Sequence, residues 1–233
     1  MTARSSVAAR EATLGAIRAS LGVAAEDARR RVGVLKRLYD HDANLIPARA
    51  HADRDDLVAR FASMLREQSA DVFGVPDISA VPRTIAGFLR NANLPARVQH
   101  GAEPLFAELD WTAAPGIERT IGRATPETPT GLSRGFAGAA ESGTLVMVSG
   151  PENPTTLNFL PETHIVVIDE AQIVGSYEDA WAKLRVRFGE REMPRTVNFI
   201  SGPSRTADIE QTLTLGAHGP KRLCVIITGV DAD

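Results

Sequence analysis

Glu141 lies in a run of small residues, Gly138-Ala139-Ala140-Glu141-Ser142-Gly143-Thr144, that leads into the apolar stretch Leu145-Val146-Met147-Val148. A carboxylate beside low-dielectric surroundings can be tuned towards neutral pKa, and there it can act as nucleophile or general base. The same position suits a structural carboxylate that accepts from neighbouring backbone N–H groups. Ser142, Gly143 and Thr144 add hydroxyls and room for close backbone approach by a ligand or a helix. Ser149-Gly150-Pro151 closes that apolar stretch, and a second copy, Ser201-Gly202-Pro203, closes Thr196-Val197-Asn198-Phe199-Ile200. If both stretches are strands of one parallel sheet, both loops face the same edge, beyond the carboxyl ends where ligands bind. Turn chemistry alone accounts for either loop taken singly.

Three further segments carry polar groups of the right kind. Ser204, Arg205, Thr206 and Asp208 follow the second Ser-Gly-Pro, and the passage reads as strand, loop and helix, with Ile209 and Leu213 facing inward. Arg205 at a helix N-terminus would favour an anion. Asp208 and Glu210 would oppose a polyphosphate there, so a carboxylate, hydroxyl or amide is the easier ligand. His218, between Gly216 and Gly219, can serve as a proton shuttle or donor, or can satisfy carbonyls at a helix stop. Asn153 and Thr155 open a polar loop after the first Ser-Gly-Pro, where Asn-Pro turn initiation serves equally well. The remaining histidines, His41, His51, His100 and His164, show no metal-ligand spacing.

The elements that must position these groups alternate between helix and strand. Val7, Leu14, Ile17 and Leu21 predict an amphipathic helix over 5–21, and residues 22–52 read as a charged, irregular arm. From 53 onward a helix capped by Asp53 precedes strands at 71–75, 96–99, 118–122, 144–148, 164–168, 196–200 and 223–228. A second helix begins near Ser79, and Ser176 with Asp179 caps a third. The expected organisation is an N-terminal helix and arm over 1–52 and an α/β domain with a mostly parallel sheet over 53–233.

Composition narrows the function classes. The 233 residues carry a formal net charge of -3, which gives no general attraction to nucleic acid or anionic membrane. No apolar stretch approaches the roughly 20 residues that span a bilayer. A cytoplasmic protein is expected. The phosphate-loop, dinucleotide-binding and His-Glu-x-x-His signatures are absent. Cys224 is the single cysteine, so the chain cannot supply the four ligands of an iron–sulfur cluster.

Four blocks in order, Gly138 to Pro151, Asn153 to Pro161, Ile200 to Glu210 and Leu215 to Pro220, resemble the lactate utilisation protein C family, also called the LUD domain. The resemblance implies a three-layer α/β/α sandwich akin to the NagB/RpiA/CoA-transferase group, in keeping with the parallel sheet. It also implies a part in bacterial growth on L-lactate beside iron–sulfur proteins, which would hold the clusters this chain cannot. Such a subunit would be accessory, with a small carboxylate as ligand and self-association left open. The alternative is a stand-alone CoA-transferase-like enzyme acting through Glu141, with Arg205 or His218. The family assigns Glu141 no established role, and fold alone does not specify chemistry.

Overall fold

A computed structural model describes residues 3–24, 26–190, 192–206, 214–216 and 218–230. The chain forms two compact units, Met1–Asn44 and Leu45–Asp233. The first holds helices α1 (Ala3–Ser20) and α2 (Ala28–Asp40). α2 lies within the segment read as irregular. Its dense charge obscured Val34 and Leu38, which are one helical turn apart, and Asp27, whose side chain accepts from Arg30 N as the cap. No residue of α2 is buried. Residues 45–52, grouped with the arm on sequence, fall in the second unit, where Ala50 is buried with its carbonyl against Gly175.

The second unit is built on six strands: β1 (Asp71–Val75), β2 (Arg97–His100), β3 (Glu118–Ile121), β4 (Thr130–Arg134), β7 (Thr163–Asp169) and β12 (Arg222–Thr228). Their order is β1-β12-β7-β4-β2-β3, and every pairing is parallel. Both faces of such a sheet must be covered, and β7 and β12 accordingly read as near-continuous apolar runs. Helices α4 (Val81–Asn91) and α5 (Pro104–Glu108) cover one face, packing Ile85, Phe88 and Phe106 against Val98, Leu132 and Ile226. Helix α3 (Arg54–Glu67) covers the other, setting Phe61 and Leu65 against Val166, Ile168 and Val225. The result is a three-layer α/β/α arrangement.

A second sheet shares the layer of α3. It contains β8 (Ile173–Val174), β5 (Ala137–Ala139), β6 (Thr144–Val148) and β9 (Val197–Ile200), in that order. Leu145 and Met147 of β6 join the α3 core, while Val146 and Ala137 face α7 (Tyr177–Phe188) through Ala180 and Leu184. Ser176 and Asp179 form the expected capping box at the start of α7. The short helix α6 (Thr156–Phe159) follows β6, and β10 (Arg205–Thr206) pairs antiparallel with β11 (Thr214–Leu215).

This layout corrects the single-edge expectation. β6 and β9 belong to the second sheet and pair antiparallel, with Leu145 opposite Ile200 and Val148 opposite Val197. The two Ser-Gly-Pro loops therefore leave opposite ends of the pair, roughly 17 Å apart at about 3.3 Å per residue. A second correction concerns Arg205, which lies in a strand rather than at a helix N-terminus. Asp208, Ile209, Glu210 and Leu213 lie outside the described residues.

Candidate functional site

At the start of β6, Glu141 is 7% exposed, and its Oε1 accepts the backbone N–H of Tyr177, the first residue of α7, at 2.7 Å. A carboxylate there satisfies one of the free N–H groups of the helix and complements its dipole. Next to it four hydroxyls meet. Ser142 Oγ donates to Tyr177 Oη at 2.8 Å, and Thr144 Oγ1 lies 2.8 Å from Ser142 Oγ and 2.7 Å from Tyr177 Oη. Thr144 Oγ1 also lies 2.7 Å from Ser201 Oγ, the first residue after β9. Antiparallel pairing puts these two chain positions side by side, and Ser201 is the exposed end of the cluster. Gly143, at φ +62°, turns the backbone tightly against α3.

Ser201 opens into a cleft of about 240 Å³ at the amino ends of β7 and β12. Ser201, Gly202 and Ser204 form one wall, His218 to Pro220 another, and Phe159 with Asn158 of α6 a third. Ser204 holds the walls together. Its N–H donates to Pro220 O at 2.8 Å, its carbonyl accepts from Gly216 N at 2.9 Å, and its hydroxyl accepts from His218 N at 3.3 Å. Arg205 continues into β10, where Thr206 pairs with Thr214, and its guanidinium donates to Gln68 O at the end of α3. Gly202 packs on the same Gln68, where a Cβ would come within 2.9 Å of the side chain.

The floor contains two residues that sequence reasoning missed. His164, on β7, is fully buried, and Asn158 is 1% exposed. His164 Nε2 lies 3.1 Å from Ser133 Oγ, which lies 3.4 Å from Asn158 Oδ1. Burial holds the His164 pKa down at about 3, so the ring is neutral throughout the physiological range. His164 Nδ1 and Asn158 Nδ2 find no hydrogen-bond partner among the described residues. Most buried polar atoms are paired, so these two, closed off from solvent beneath the cleft, are exceptions to that rule. A buried polar residue opening an apolar strand was the available signal for His164. Asn158 was in plain view within Thr155-Thr156-Leu157-Asn158-Phe159.

The first Ser-Gly-Pro loop does different work. Ser149 clamps the far end of the β6–β9 pair, its N–H donating to Thr196 O at 3.0 Å and its Oγ accepting from Thr196 N at 2.9 Å. Gly150 N donates to Asn153 O, Asn153 Nδ2 donates to Val148 O, and Thr155 Oγ1 lies 3.0 Å from Thr196 Oγ1. The loop also folds over the end of β2, where Ala102 N donates to Pro151 O at 3.0 Å and the Glu152 carbonyl crowds Gly101. Onward connections diverge between β2 and β4, the usual ligand crevice of a parallel sheet. Here that crevice is occupied by the loop and by Arg134, which pairs with the buried Glu103 at 3.3 Å.

Among the described residues, no three His, Cys, Asp or Glu side chains are grouped to hold a metal ion, and no helix is long and apolar enough to cross a membrane. Cys224 is fully buried in β12. Burial, with a smaller contribution from Asp71, pushes its thiol pKa well up.

The LUD domain family model matches residues 51–228. An uncharacterized protein of Neisseria meningitidis is 37% identical over 143 residues, 59% of this chain and 60% of that one. Lactate utilization protein C of Geobacillus kaustophilus is 31% identical over 170 residues, 72% of this chain and 69% of the relative. Its counterpart from Halalkalibacterium halodurans is 41% identical over 90 residues, 38% and 39% of the two lengths. The chain thus spans between 38% and 60% of the first three curated relatives it matches. The crystal structure of a DUF162 family protein from Deinococcus radiodurans superposes with a TM-score of 0.57 at 19% identity, covering 76% of this chain and 99% of that one, and shares the fold.

Proposed function

Because the chain belongs to the LUD domain family, we propose that it is a cluster-free, ligand-binding subunit of a bacterial L-lactate utilisation system. A small carboxylate is the ligand, and the cleft between Ser201, Ser204 and His218 is its site. The supporting observation is convergence. Asn158 and Phe159, Ser201, Gly202 and Ser204, and His218 to Pro220 come from three of the four sequence blocks and line one cavity, and Thr144 of the fourth touches it through Ser201.

Two electrons leave lactate as it becomes pyruvate, and they must pass to a carrier. With one buried cysteine this chain does not hold an iron–sulfur cluster, so the clusters belong to partner proteins in the cytoplasm. Glu141 gives the alternative of a stand-alone transferase little support, because its buried carboxylate already serves Tyr177 N.

Purifying the tagged chain from its own host grown on L-lactate tests this role. The expected eluate contains iron and reduces a dye in a lactate-dependent way, whereas the chain purified alone contains no iron. An iron-free, inactive eluate from lactate-grown cells would contradict it.

A further inference from the structure

Helices α1 and α2 enclose no core of their own. Ile17 and Leu21 of α1 and Val34 and Leu35 of α2 remain between 47% and 62% exposed. Helices of this length owe most of their stability to covering an apolar face, and here the face lies open. The four side chains line a groove of about 440 Å³ between the two helices. Arg18, Arg30 and Arg31 stand on it, and its one carboxylate among the described residues, Asp27, is committed to capping α2 through Arg30 N. Arg18 lies 3.9 Å from Glu11 and Arg31 3.1 Å from Glu26, but exposed pairs of this kind are weak and exchange for other carboxylates. The family model begins at residue 51, so the groove lies outside the part of the chain that it matches.

Shape and charge select the occupant. A groove between two helices accepts the apolar ridge of a third, whereas a flat bilayer does not reach its floor. Residues 1–44 carry eight Arg and Lys against five Asp and Glu, so the same helices of a second copy would bring like charge to the rim. Residues 45–233 have the opposite balance, with 24 Asp and Glu against 18 Arg and Lys. They lack the ridge, because among the described residues no helix there exposes two large apolar side chains three or four positions apart. We propose that the groove receives an acidic amphipathic helix of a partner protein, the one that holds the iron–sulfur clusters. That identity rests on the subunit role proposed above. The apolar stripe of the incoming helix seats on Leu21 and Leu35, and its flanking carboxylates pair with Arg30 and Arg31.

The test compares tagged full chains purified from the host grown on L-lactate, with iron measured per chain. Arg30→Glu combined with Arg31→Glu reverses the rim. Arg83→Glu combined with Arg90→Glu makes the same charge change on the exposed face of α4 and is the control. The unaltered chain and the control should retain iron, and the rim variant should retain at least tenfold less. Washing the unaltered chain with about 0.5 M salt, which screens all but the closest charges, should strip the iron without any variant. Circular dichroism checks that the rim variant keeps its helices. Iron retained by a helical rim variant, or retained at high salt, would overturn the docking inference and leave the subunit role standing. Iron absent from the unaltered chain would overturn both. A dimer that becomes a monomer when the rim is reversed would assign the groove to a second copy. Binding to phosphatidylglycerol vesicles that the rim variant loses would assign it to a membrane. Either of these last results also overturns the proposal.

Discussion

Gly143→Ala is expected to destabilise the second unit by about 3 kcal/mol or more, through backbone geometry and a clash that cannot relax locally. Gly143 holds φ at +62°, a conformation that costs any residue with a Cβ roughly 1–2 kcal/mol. The added methyl would stand 2.6 Å from Met64 Cβ and 2.8 Å from Leu65 N. These are rigid parts of α3, not the tips of flexible side chains. Helix α3 would have to move, and with it Phe61 and Leu65, both fully buried against the sheet. Gly150 is the control. It lies in the first Ser-Gly-Pro with open space where its Cβ would be and no positive φ, so Gly150→Ala should change stability by no more than about 0.5 kcal/mol. Chemical denaturation followed by fluorescence of Trp111 and Trp181, both in the second unit, measures the two variants side by side. Similar midpoints for both would contradict the packing role given to Gly143.

The second large effect is on the pH dependence of stability. The folded pKa of His164, about 3, lies below the ordinary 6.5, so between these values the unfolded chain binds a proton that the folded chain refuses. Stability attributable to this group is therefore complete above pH 6.5 and falls as the pH drops towards 3. One proton changes the folding equilibrium tenfold per pH unit once the unfolded histidine is fully charged, which amounts to roughly sixteenfold between pH 6.5, where it is half charged, and pH 5. His100 adds to the same trend, because burial lowers its pKa as well. Comparison with His164→Gln isolates the His164 share. The variant should lose about one proton of slope in this window, and an unchanged slope would show that His164 titrates normally in the folded protein.

Much of the parallel sheet was legible in the sequence. Strand β1 occupies the residues read for it, β2, β7 and β12 lie within a residue of their expected bounds, and the box of Ser176 and Asp179 starts α7 as expected. The second sheet was not legible, for a physical reason. Thr144 to Met147 is buried on both faces, and a short strand buried on both faces reads the same in a parallel or an antiparallel sheet. Pairing direction comes from partners distant in sequence, here Val197–Ile200. That one ambiguity placed two loops together that the fold separates. It also drew attention to Ser149, Asn153 and Thr155, whose hydrogen bonds fasten a loop and a strand end, and away from His164. Metal-ligand spacing was the wrong filter for His164, because a lone histidine that shares a buried serine with an asparagine has no sequence spacing to find.

Ligand recognition is assigned to the amino ends of β7 and β12, in the cleft lined by Asn158, His164, Ser201, Ser204 and His218. Titrating L-lactate into the ¹⁵N-labelled full chain and mapping the amide shifts tests it directly. The largest changes are expected at Asn158 and Phe159, from Ser201 to Ser204 and at His218 and Gly219. Changes centred on Gly101 to Glu103, Arg134 and the Gly150–Asn153 loop would contradict it, placing the ligand in the crevice that the protein's own loop and ion pair occupy here.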